Sequence, residues 1–378
     1  PGKAGPDYID PAFHTAASGD VCFNFDPWGM RPELLRVMAS GHGGGRHFIV
    51  EAMMGLFDGA SDGSGSPADL AAQIDLSVVL VIDCARMSHS VAALASGYRD
   101  FRKDVRVAGV ILNRVGSARH EAMLRVSLER AGFAIFGAMP ADEALKLPER
   151  HLGLVQAAEH TALEAFIEHA ARRVDMHCDV QALAKLARRE AVESFDVPAL
   201  LPPLGQRIAV ARDEAFAFSY PHLLQGWRGQ GAELTFFSPL AGEGPNGKTD
   251  AVYLPGGYPE LHAARIAASE RFFAGMRDAA RRGALVYGEC GGFMVLGEAL
   301  IDAQGEAHAM LGLLPLTTSF AARKRHLGLR VARPPTIRFS TRPCGPMNSI
   351  TRARCARARR SRCSARRMRS APILARWA

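Results

Sequence analysis

The residue with the clearest potential for chemistry is Cys290, which lies between glycines in the segment Tyr287-Gly-Glu-Cys-Gly-Gly292. A strand-like apolar run precedes this segment, and apolar residues at helical spacing follow it from Phe293 to Leu300. We therefore predict a turn from strand to helix, with the sulfur exposed at the sheet edge and its thiolate stabilised by the helix N-terminus. Gly-x-Ser-x-Gly hydrolases present their nucleophilic serine in this way. A buried structural cysteine is the alternative interpretation.

A second strand-and-turn segment lies upstream, at Tyr253-Leu-Pro-Gly-Gly-Tyr-Pro-Glu260. The backbone N–H groups of Gly256 and Gly257 are predicted to form an oxyanion hole for a nucleophile at Cys290. Together the two segments resemble the class I glutamine amidotransferase domain, in which a cysteine attacks the side-chain amide of glutamine and releases ammonia. The resemblance implies that Cys290 is the catalytic nucleophile and that glutamine is a co-substrate.

The N-terminal part of the chain contains another concentration of polar residues. The run His47–Val50 predicts a short buried strand ending at Glu51, and parallel sheets bind ligands at such strand ends. Glu51 and Asp58 are separated by a glycine-containing turn, so we predict that they share a magnesium ion. The alternative is that Asp7, Asp10 and Asp58 only cap turns beside Pro and Gly.

Strand-like and helix-like segments alternate through residue 140 and again from Arg207. This alternation predicts an α/β fold with two doubly wound parallel-sheet domains. A fully buried strand is expected at Ser77–Asp83 and a long helical stretch from Leu154 to about Glu193. The predicted boundaries are a first domain at 1–194, a proline-rich linker at 195–206, a second domain at 207–330 and an Arg-rich tail at 331–378.

Composition restricts the location and the partners of the chain. No apolar run reaches the roughly 18 residues that span a bilayer, and the seven cysteines lack regular spacing, so we expect a cytoplasmic protein without membrane contact. The net charge is +8, but the last 48 residues hold 13 Arg and no Asp or Glu, leaving 33 basic and 38 acidic residues elsewhere. We interpret this tail as out-of-frame translation, with a disordered tail or a nucleic-acid-binding arm as alternatives. Nucleic acid is therefore not an expected partner.

Six segments carry a closer resemblance. They are Lys3 with Gly5-Pro-Asp-Tyr-Ile-Asp-Pro11, Asp26-Pro-Trp28, Met54-Gly-Leu-Phe-Asp-Gly59, Leu147-Pro-Glu-Arg-His-Leu-Gly153, Leu254-Pro-Gly-Gly-Tyr-Pro-Glu260 and Gly288-Glu-Cys-Gly-Gly292. In this order they resemble cobyrinic or hydrogenobyrinic acid a,c-diamide synthases of cobalamin biosynthesis, over roughly residues 1–329. The resemblance implies a P-loop-type synthetase domain, like dethiobiotin synthetase, followed by the amidotransferase domain. ATP would convert a corrinoid carboxylate to an acyl phosphate, and ammonia freed at Cys290 would displace the phosphate to give the a- and c-amides.

The resemblance also implies binding roles for most of the polar residues. These are Lys3 at the ATP phosphates; Glu51 and Asp58 at Mg²⁺; Asp7, Tyr8 and Asp10 where nucleotide and corrinoid meet; Asn113 at adenine; and Arg150 and His151 at the acidic substrate. For Arg150 and His151, a plain surface loop is the alternative.

Two family features are not in the sequence. The P-loop is expected upstream of Gly5, and a Gly-His-Glu-Phe-His segment is expected beyond Leu329, but no histidine follows His326. We therefore expect an incomplete phosphate cradle, no general base for Cys290, and little or no activity. The alternatives are diamidation of another tetrapyrrole such as nickel-sirohydrochlorin, or a non-catalytic corrinoid-binding remnant. The oligomeric state is left open, with a homodimer as one option.

Overall fold

The computed structural model describes residues 1–43, 46–52, 55–147, 149–150, 153–187 and 200–321, with only the backbone described at 149, 150, 153 and 154. The chain divides into two compact units, with the boundary between residues 199 and 200. The domain limits that we predict at residues 194 and 206 stay predictions. The predicted tail lies outside the described residues. Within the described ranges, no helix is long and apolar enough to cross a membrane.

Unit 1 alternates strands and helices. In chain order its elements are β1 Gly2–Ala4, α1 Asp10–Ser18, β2 Phe23–Phe25, α2 Pro32–Gly43, β3 Val50–Glu51, α3 Pro67–Gln73, β4 Val78–Asp83, α4 Ser90–Phe101, β5 Val107–Val115, α5 Ala118–Arg130, β6 Ile135–Pro140, β7 Glu149–Arg150, β8 Gly153–Leu154, α6 Leu163–His177 and α7 Val180–Lys185. Short 3-10 turns occupy Glu143–Leu145 and Ala157–Glu159.

The main strands of unit 1 form two three-stranded parallel sheets, in the orders β2-β1-β3 and β4-β5-β6. This confirms the predicted α/β class. The prediction of a fully buried strand at Ser77–Asp83 is wrong, because Leu80 and Ile82 are buried whereas Val81 is 63% exposed. β4 is an edge strand in its sheet, and its side chains alternate between a packed face and an exposed one.

Two other predictions for unit 1 need correction. The strand that ends at Glu51 is only two residues long, Val50–Glu51, and it is not buried, because it lies at the edge of its sheet; Ile49, directly before it, is 72% exposed. The helix predicted from Leu154 begins only at Leu163, after β8 and a 3-10 turn, and it is interrupted at Cys178, which is extended and forms an isolated antiparallel bridge with Gly137 of β6. Gly137 permits this approach, since a Cβ there would overlap the Cys178 sulfur.

Unit 2 has the same alternation. Its elements are β9 Arg207–Ala211, α8 Pro221–Gly229, β10 Glu233–Phe237, β11 Ala251–Leu254, α9 Ala263–Ala267, α10 Glu270–Arg281, β12 Leu285–Gly288, α11 Gly291–Val295, β13 Ala299–Ile301, β14 Ala307–Ala309 and β15 Thr317–Ser319. Short 3-10 turns occupy Glu214–Phe216, Pro239–Ala241 and Pro259–Leu261.

The central sheet of unit 2 is parallel, with the order β10-β9-β11-β12. Its strands are apolar because helices and turns cover the sheet, and every residue of β11 is buried. The helical spacing predicted to continue to Leu300 is interrupted. The helix α11 ends at Val295, and Leu300 instead lies fully buried in β13, paired in parallel with β15. The strand ends at the carboxyl edge of the central sheet therefore position the segments around Cys290.

The histidine His222 in α8 gives a test of how unit 2 responds to pH. Burial lowers the pKa of His222 from its ordinary 6.5 to about 4. Between these values the unfolded chain binds a proton that the folded chain does not bind, so stability falls as the pH falls. We expect the free energy of unfolding to lose up to about 3 kcal/mol from this group between pH 6.5 and 4.

Replacement of His222 by Gln is expected to flatten this part of the stability profile. Urea unfolding at pH 7, 5.5 and 4.5 measures it, with His47→Gln, at an exposed position, as the matched control. A profile for His222→Gln that runs parallel to that of the parent would contradict the assignment.

Candidate active site

Lys3 is the centre of the polar cluster in unit 1. It lies on β1, the middle strand of its sheet, directly beside Glu51 of β3, and it is 1% exposed. Its Nζ donates to Asp10 Oδ2 at 2.5 Å, lies 3.0 Å from Glu51 Oε2 and lies 3.6 Å from Asp7 Oδ2. The next two strands of the chain, β2 and β3, lie on opposite sides of β1, so the strand order reverses here. Parallel sheets bind ligands at such topological switch points.

The charges of the cluster determine one another's protonation. Burial lowers the pKa of Lys3, but the hydrogen bond to Asp10 and the charge of Glu51 outweigh it, so the net pKa is raised. Burial and the neighbouring charge of Asp7 raise the pKa of Asp10 despite its contact with Lys3. Burial also raises the pKa of Glu51, but contacts with His14 and Lys3 lower it below its ordinary value. Lys3 is therefore held as an ammonium group among carboxylates.

Two residues of this cluster were missed by sequence reasoning. His14 contacts Glu51 through Nε2, and it follows Asp10 by one helical turn in α1. The spacing of four residues is a sequence signal for a shared helix face and would have identified it. Asn24 has no comparable signal. It is 2% exposed, and its Nδ2 donates to the carbonyl oxygens of Gly5 and Asp7, at 3.0 and 2.7 Å.

The other sequence candidates of unit 1 have different surroundings. Asp7 accepts from the N–H groups of Ile9 and Asp10 through Oδ1, so it also caps the start of α1. Tyr8 is partly buried immediately before that helix. Asn113 lies near the end of β5, where its Oδ1 accepts from Arg114 N–H. The side chain of Arg150 and the whole of His151 lie outside the described residues.

The predicted magnesium ligands, Glu51 and Asp58, make separate contacts. Glu51 is in contact with Lys3 and His14, whereas Asp58 Oδ2 accepts from Gly55 N–H in its own turn, at 3.0 Å. Within the described residues, no group of three or more His, Cys, Asp or Glu side chains could hold a metal ion. Mg²⁺ in nucleotide sites often needs only one or two carboxylates beside the phosphates, so the chemistry of the two side chains fits this ion.

Cys290 occupies a sharp turn between β12 and α11. Its φ of +50° is in the left-handed region, which side chains other than glycine rarely adopt, and the residue is exposed. Backbone strain of this kind is common at functional sites, and a nucleophile elbow requires it. The predicted position of Cys290, exposed at the carboxyl edge of the sheet between strand and helix, thus agrees with its observed geometry.

The pKa of the Cys290 thiol differs from the sequence-based expectation. Surrounding protein atoms keep water from part of the sulfur, which disfavours the charged thiolate and raises this pKa. The charges of Glu289 and Glu260 raise it further. The backbone N–H groups of Gly291 and Gly257 face the sulfur and lower the pKa, but they do not outweigh the other effects. The N-terminus of α11 thus favours the thiolate through Gly291, as predicted, but the net pKa of the thiol is raised.

Glycines allow three backbone segments to meet beside the sulfur. A Cβ on Gly257 would overlap the carbonyl oxygen of Ala215, and one on Gly292 would overlap that of Leu254. Gly256 packs against Cys290, and its carbonyl oxygen accepts from Phe218 N–H at 2.9 Å. Gly291, whose N–H faces the sulfur, was not among the predicted oxyanion donors. Its place directly after Cys290 is the sequence signal that would have identified it.

Family models match most of the chain. A CobB/CobQ-like glutamine amidotransferase domain matches residues 207–336, and a CobQ/CobB/MinD/ParA nucleotide binding domain matches residues 7–155. The first match includes Cys290 and both predicted oxyanion glycines. The second includes all the predicted nucleotide-site residues except Lys3. No solved structure was found to match the chain.

Curated relatives match nearly the whole chain. A hydrogenobyrinate a,c-diamide synthase from Sinorhizobium sp is 63% identical over 356 residues, covering 92% of this chain and 80% of the relative. The enzyme of the same name from Rhizobium meliloti (strain 1021) is 64% identical, covering 88% and 78%. One from Mesorhizobium japonicum is 50% identical, covering 88% and 76%. Both units are thus covered by similarity to hydrogenobyrinate a,c-diamide synthases.

Proposed function

Because the chain belongs to the hydrogenobyrinate a,c-diamide synthase family, a family of glutamine amidotransferase ligases, we propose that it amidates the a- and c-carboxylates of hydrogenobyrinic acid, or of the related cobyrinic acid, with ATP and glutamine as co-substrates. The observation that carries the proposal is the strained, exposed Cys290 with two backbone N–H groups facing its sulfur. Such a site fits nucleophilic attack on an amide.

In the amidotransferase half, the sulfur of Cys290 attacks the side-chain amide carbon of glutamine. The N–H groups of Gly257 and Gly291 donate to the oxyanion that forms, and Gly256 supports their position. The amide nitrogen takes up a proton and leaves as ammonia, so a thioester remains on Cys290. Water then attacks this thioester, which releases glutamate and restores the thiol. The raised pKa of Cys290 means that the thiol must lose its proton as glutamine binds or reacts.

In the synthetase half, the polar cluster around Lys3 is the proposed reaction site. The Lys3 ammonium group attracts the phosphates of ATP, and Glu51 with Asp58 would hold Mg²⁺, which neutralises phosphate charge when bound. Asp7, Tyr8 and Asp10 lie on the loop and the helix start where nucleotide and corrinoid would meet. Asn113 is the proposed adenine contact, and Arg150 and His151 are proposed contacts for the corrinoid carboxylates.

The proposed reaction uses these residues to bind and orient its reactants. A corrinoid carboxylate attacks the γ-phosphorus of ATP, ADP leaves, and an acyl phosphate forms. Ammonia attacks the acyl carbon, phosphate leaves, and the amide remains after loss of a proton. The same sequence repeated at the second carboxylate gives the diamide. The polar cluster contributes by binding and orienting the reactants, which is the main demand of phosphoryl transfer.

The direct test is incubation of the full chain with hydrogenobyrinic acid, ATP, Mg²⁺ and glutamine, followed by mass spectrometry of the corrinoid. We expect the monoamide and then the diamide to form at a low rate, and only when all components are present. Amide product from nickel-sirohydrochlorin, with none from hydrogenobyrinic acid, would contradict the proposed substrate and favour the nickel tetrapyrrole instead. Corrinoid binding without any amide product would instead favour a non-catalytic binding remnant.

A further inference from the structure

A histidine beside one of the proposed magnesium ligands has no role in the proposed reaction. His14, on α1, donates through Nε2 to Glu51 Oε2, and Lys3 Nζ lies 3.0 Å from the same oxygen. Among the residues that the structure describes, Glu51 Oε1 has no hydrogen-bond or ion-pair partner, and the side chain is 45% exposed. Two donors therefore share one oxygen of the carboxylate, and its other oxygen is available to a ligand.

The helix α1 gives the imidazole a defined position. Asp10 precedes His14 by one helical turn, and its Oδ2 accepts from Lys3 Nζ at 2.5 Å. The neighbouring Phe13 packs edge-on against Phe166 of α6, with ring centroids 6.5 Å apart. Contacts to β1 and to α6 thus anchor the helix around His14, so the imidazole N–H reaches the carboxylate from a fixed backbone.

Lys3 by itself does not select one oxygen of Glu51. Its ammonium group also lies 2.5 Å from Asp10 Oδ2 and 3.6 Å from Asp7 Oδ2. An ammonium group is a compact point charge with three rotatable donors, so it can contact either oxygen of a carboxylate. The imidazole of His14 offers an N–H in the plane of its ring, which makes its contact directional. His14 is therefore the partner that determines which oxygen faces the protein.

We propose that His14 is a positioning residue that, together with Lys3, holds Glu51 Oε2 and so leaves Oε1 to bind the divalent cation. This inference rests on the proposed function, in which Glu51 holds Mg²⁺. Carboxylates that bind metals are themselves fixed by hydrogen bonds, and loss of such a partner weakens metal binding. Mg²⁺ requires near-ideal octahedral geometry, so a carboxylate that turns freely binds it less well.

The test is equilibrium dialysis of the full chain against Mn²⁺ in the presence of ADP, with protein-bound Mn²⁺ measured by atomic absorption. Mn²⁺ takes the same oxygen ligands as Mg²⁺, and ADP supplies phosphates without turnover. We expect His14→Ala to raise the dissociation constant of Mn²⁺ about tenfold. His14→Gln should stay within about threefold of the parent, because its amide N–H can donate from a similar position. Removal of a positive charge by itself would strengthen cation binding, so a weakening identifies positioning.

Two further variants show that the effect passes through the carboxylate. Glu51→Gln removes the charge of the ligand and should weaken Mn²⁺ binding at least about tenfold, and His14→Ala should add little in that background. His177→Ala, at the end of α6, is the matched control and should bind Mn²⁺ like the parent. Thermal unfolding identifies any variant that fails to fold. His14→Asn, whose shorter amide does not reach the carboxylate, replaces His14→Ala in that case.

The outcomes separate this inference from the proposed function. Absence of Mn²⁺ binding by the parent, or equal binding by Glu51→Gln, would contradict the metal role of Glu51 and with it the inference. Weakened binding by Glu51→Gln together with unchanged binding by His14→Ala would overturn the inference alone. Equal weakening by His14→Ala and His14→Gln would also overturn it, because the donor would then have no part in the effect.

Discussion

Replacement of Cys290 by serine is expected to lower the rate of glutamine hydrolysis at least about a thousandfold, which is a minimal cost for removal of a catalytic nucleophile. Serine keeps the size and the backbone strain of the turn, but its hydroxyl is a far weaker nucleophile without an activating base. The measurement is glutamate released from glutamine by the full chain. Cys178→Ser, at a partly buried thiol of unit 1, is the matched control and should retain the parent rate.

A second readout separates the two halves of the reaction. Ammonium salts supply the nitrogen without a thioester, so amide formation by Cys290→Ser should persist when ammonia replaces glutamine. Retention of glutamine hydrolysis in Cys290→Ser would show that another group is the nucleophile. A parent chain that hydrolyses no glutamine, with or without the corrinoid and ATP, would contradict the proposed function itself.

Replacement of Lys3 by methionine is expected to destabilise unit 1 by about 2–4 kcal/mol, because a partly buried set of carboxylates would lose its cation. The Lys3 side chain is 2% exposed, whereas those of Asp7, Asp10 and Glu51 are 16%, 26% and 45% exposed. Water can compensate part of the charge on the more exposed members, which places the effect below that of a fully buried pair. Urea unfolding of unit 1 at neutral pH measures the change.

Controls can show that the loss comes from charge. Lys103→Met removes a lysine whose side chain is 84% exposed, and it should change the free energy of unfolding by less than about 0.5 kcal/mol. Adding Asp10→Asn to Lys3→Met should recover about 1 kcal/mol, since it removes one of the uncompensated charges. Equal stability of Lys3→Met and Lys103→Met would contradict the structural assignment of the cluster.

Local patterns were sufficient to predict the geometry of the turns around Cys290, the proposed glutaminase site. Glycines beside Cys290 and at Gly256-Gly257 indicated tight turns after apolar strands, and the structure places both turns at the carboxyl edge of one parallel sheet. Strand and helix periods likewise predicted the α/β class. These signals are readable because turn geometry and burial periodicity depend on residues that are close together in the chain.

Contacts between distant segments could not be obtained in this way. Sequence spacing gave no sign that Glu51 lies beside Lys3 and contacts His14, because these residues belong to different segments that only the fold brings together. The long helix predicted from Leu154 was divided because Cys178 pairs with Gly137, a contact between residues that are distant in the chain.

The sequence by itself thus determined the family and the parallel α/β class and identified Cys290 as the proposed nucleophile, because each depends on short motifs and on local periodicity. Only the tertiary structure decided the pKa shifts of Lys3 and of Cys290. It buries Lys3 among carboxylates, and it crowds Cys290 beside Glu289. Charges and burial act through space, so they are set by which segments the fold brings within a few ångströms of one another.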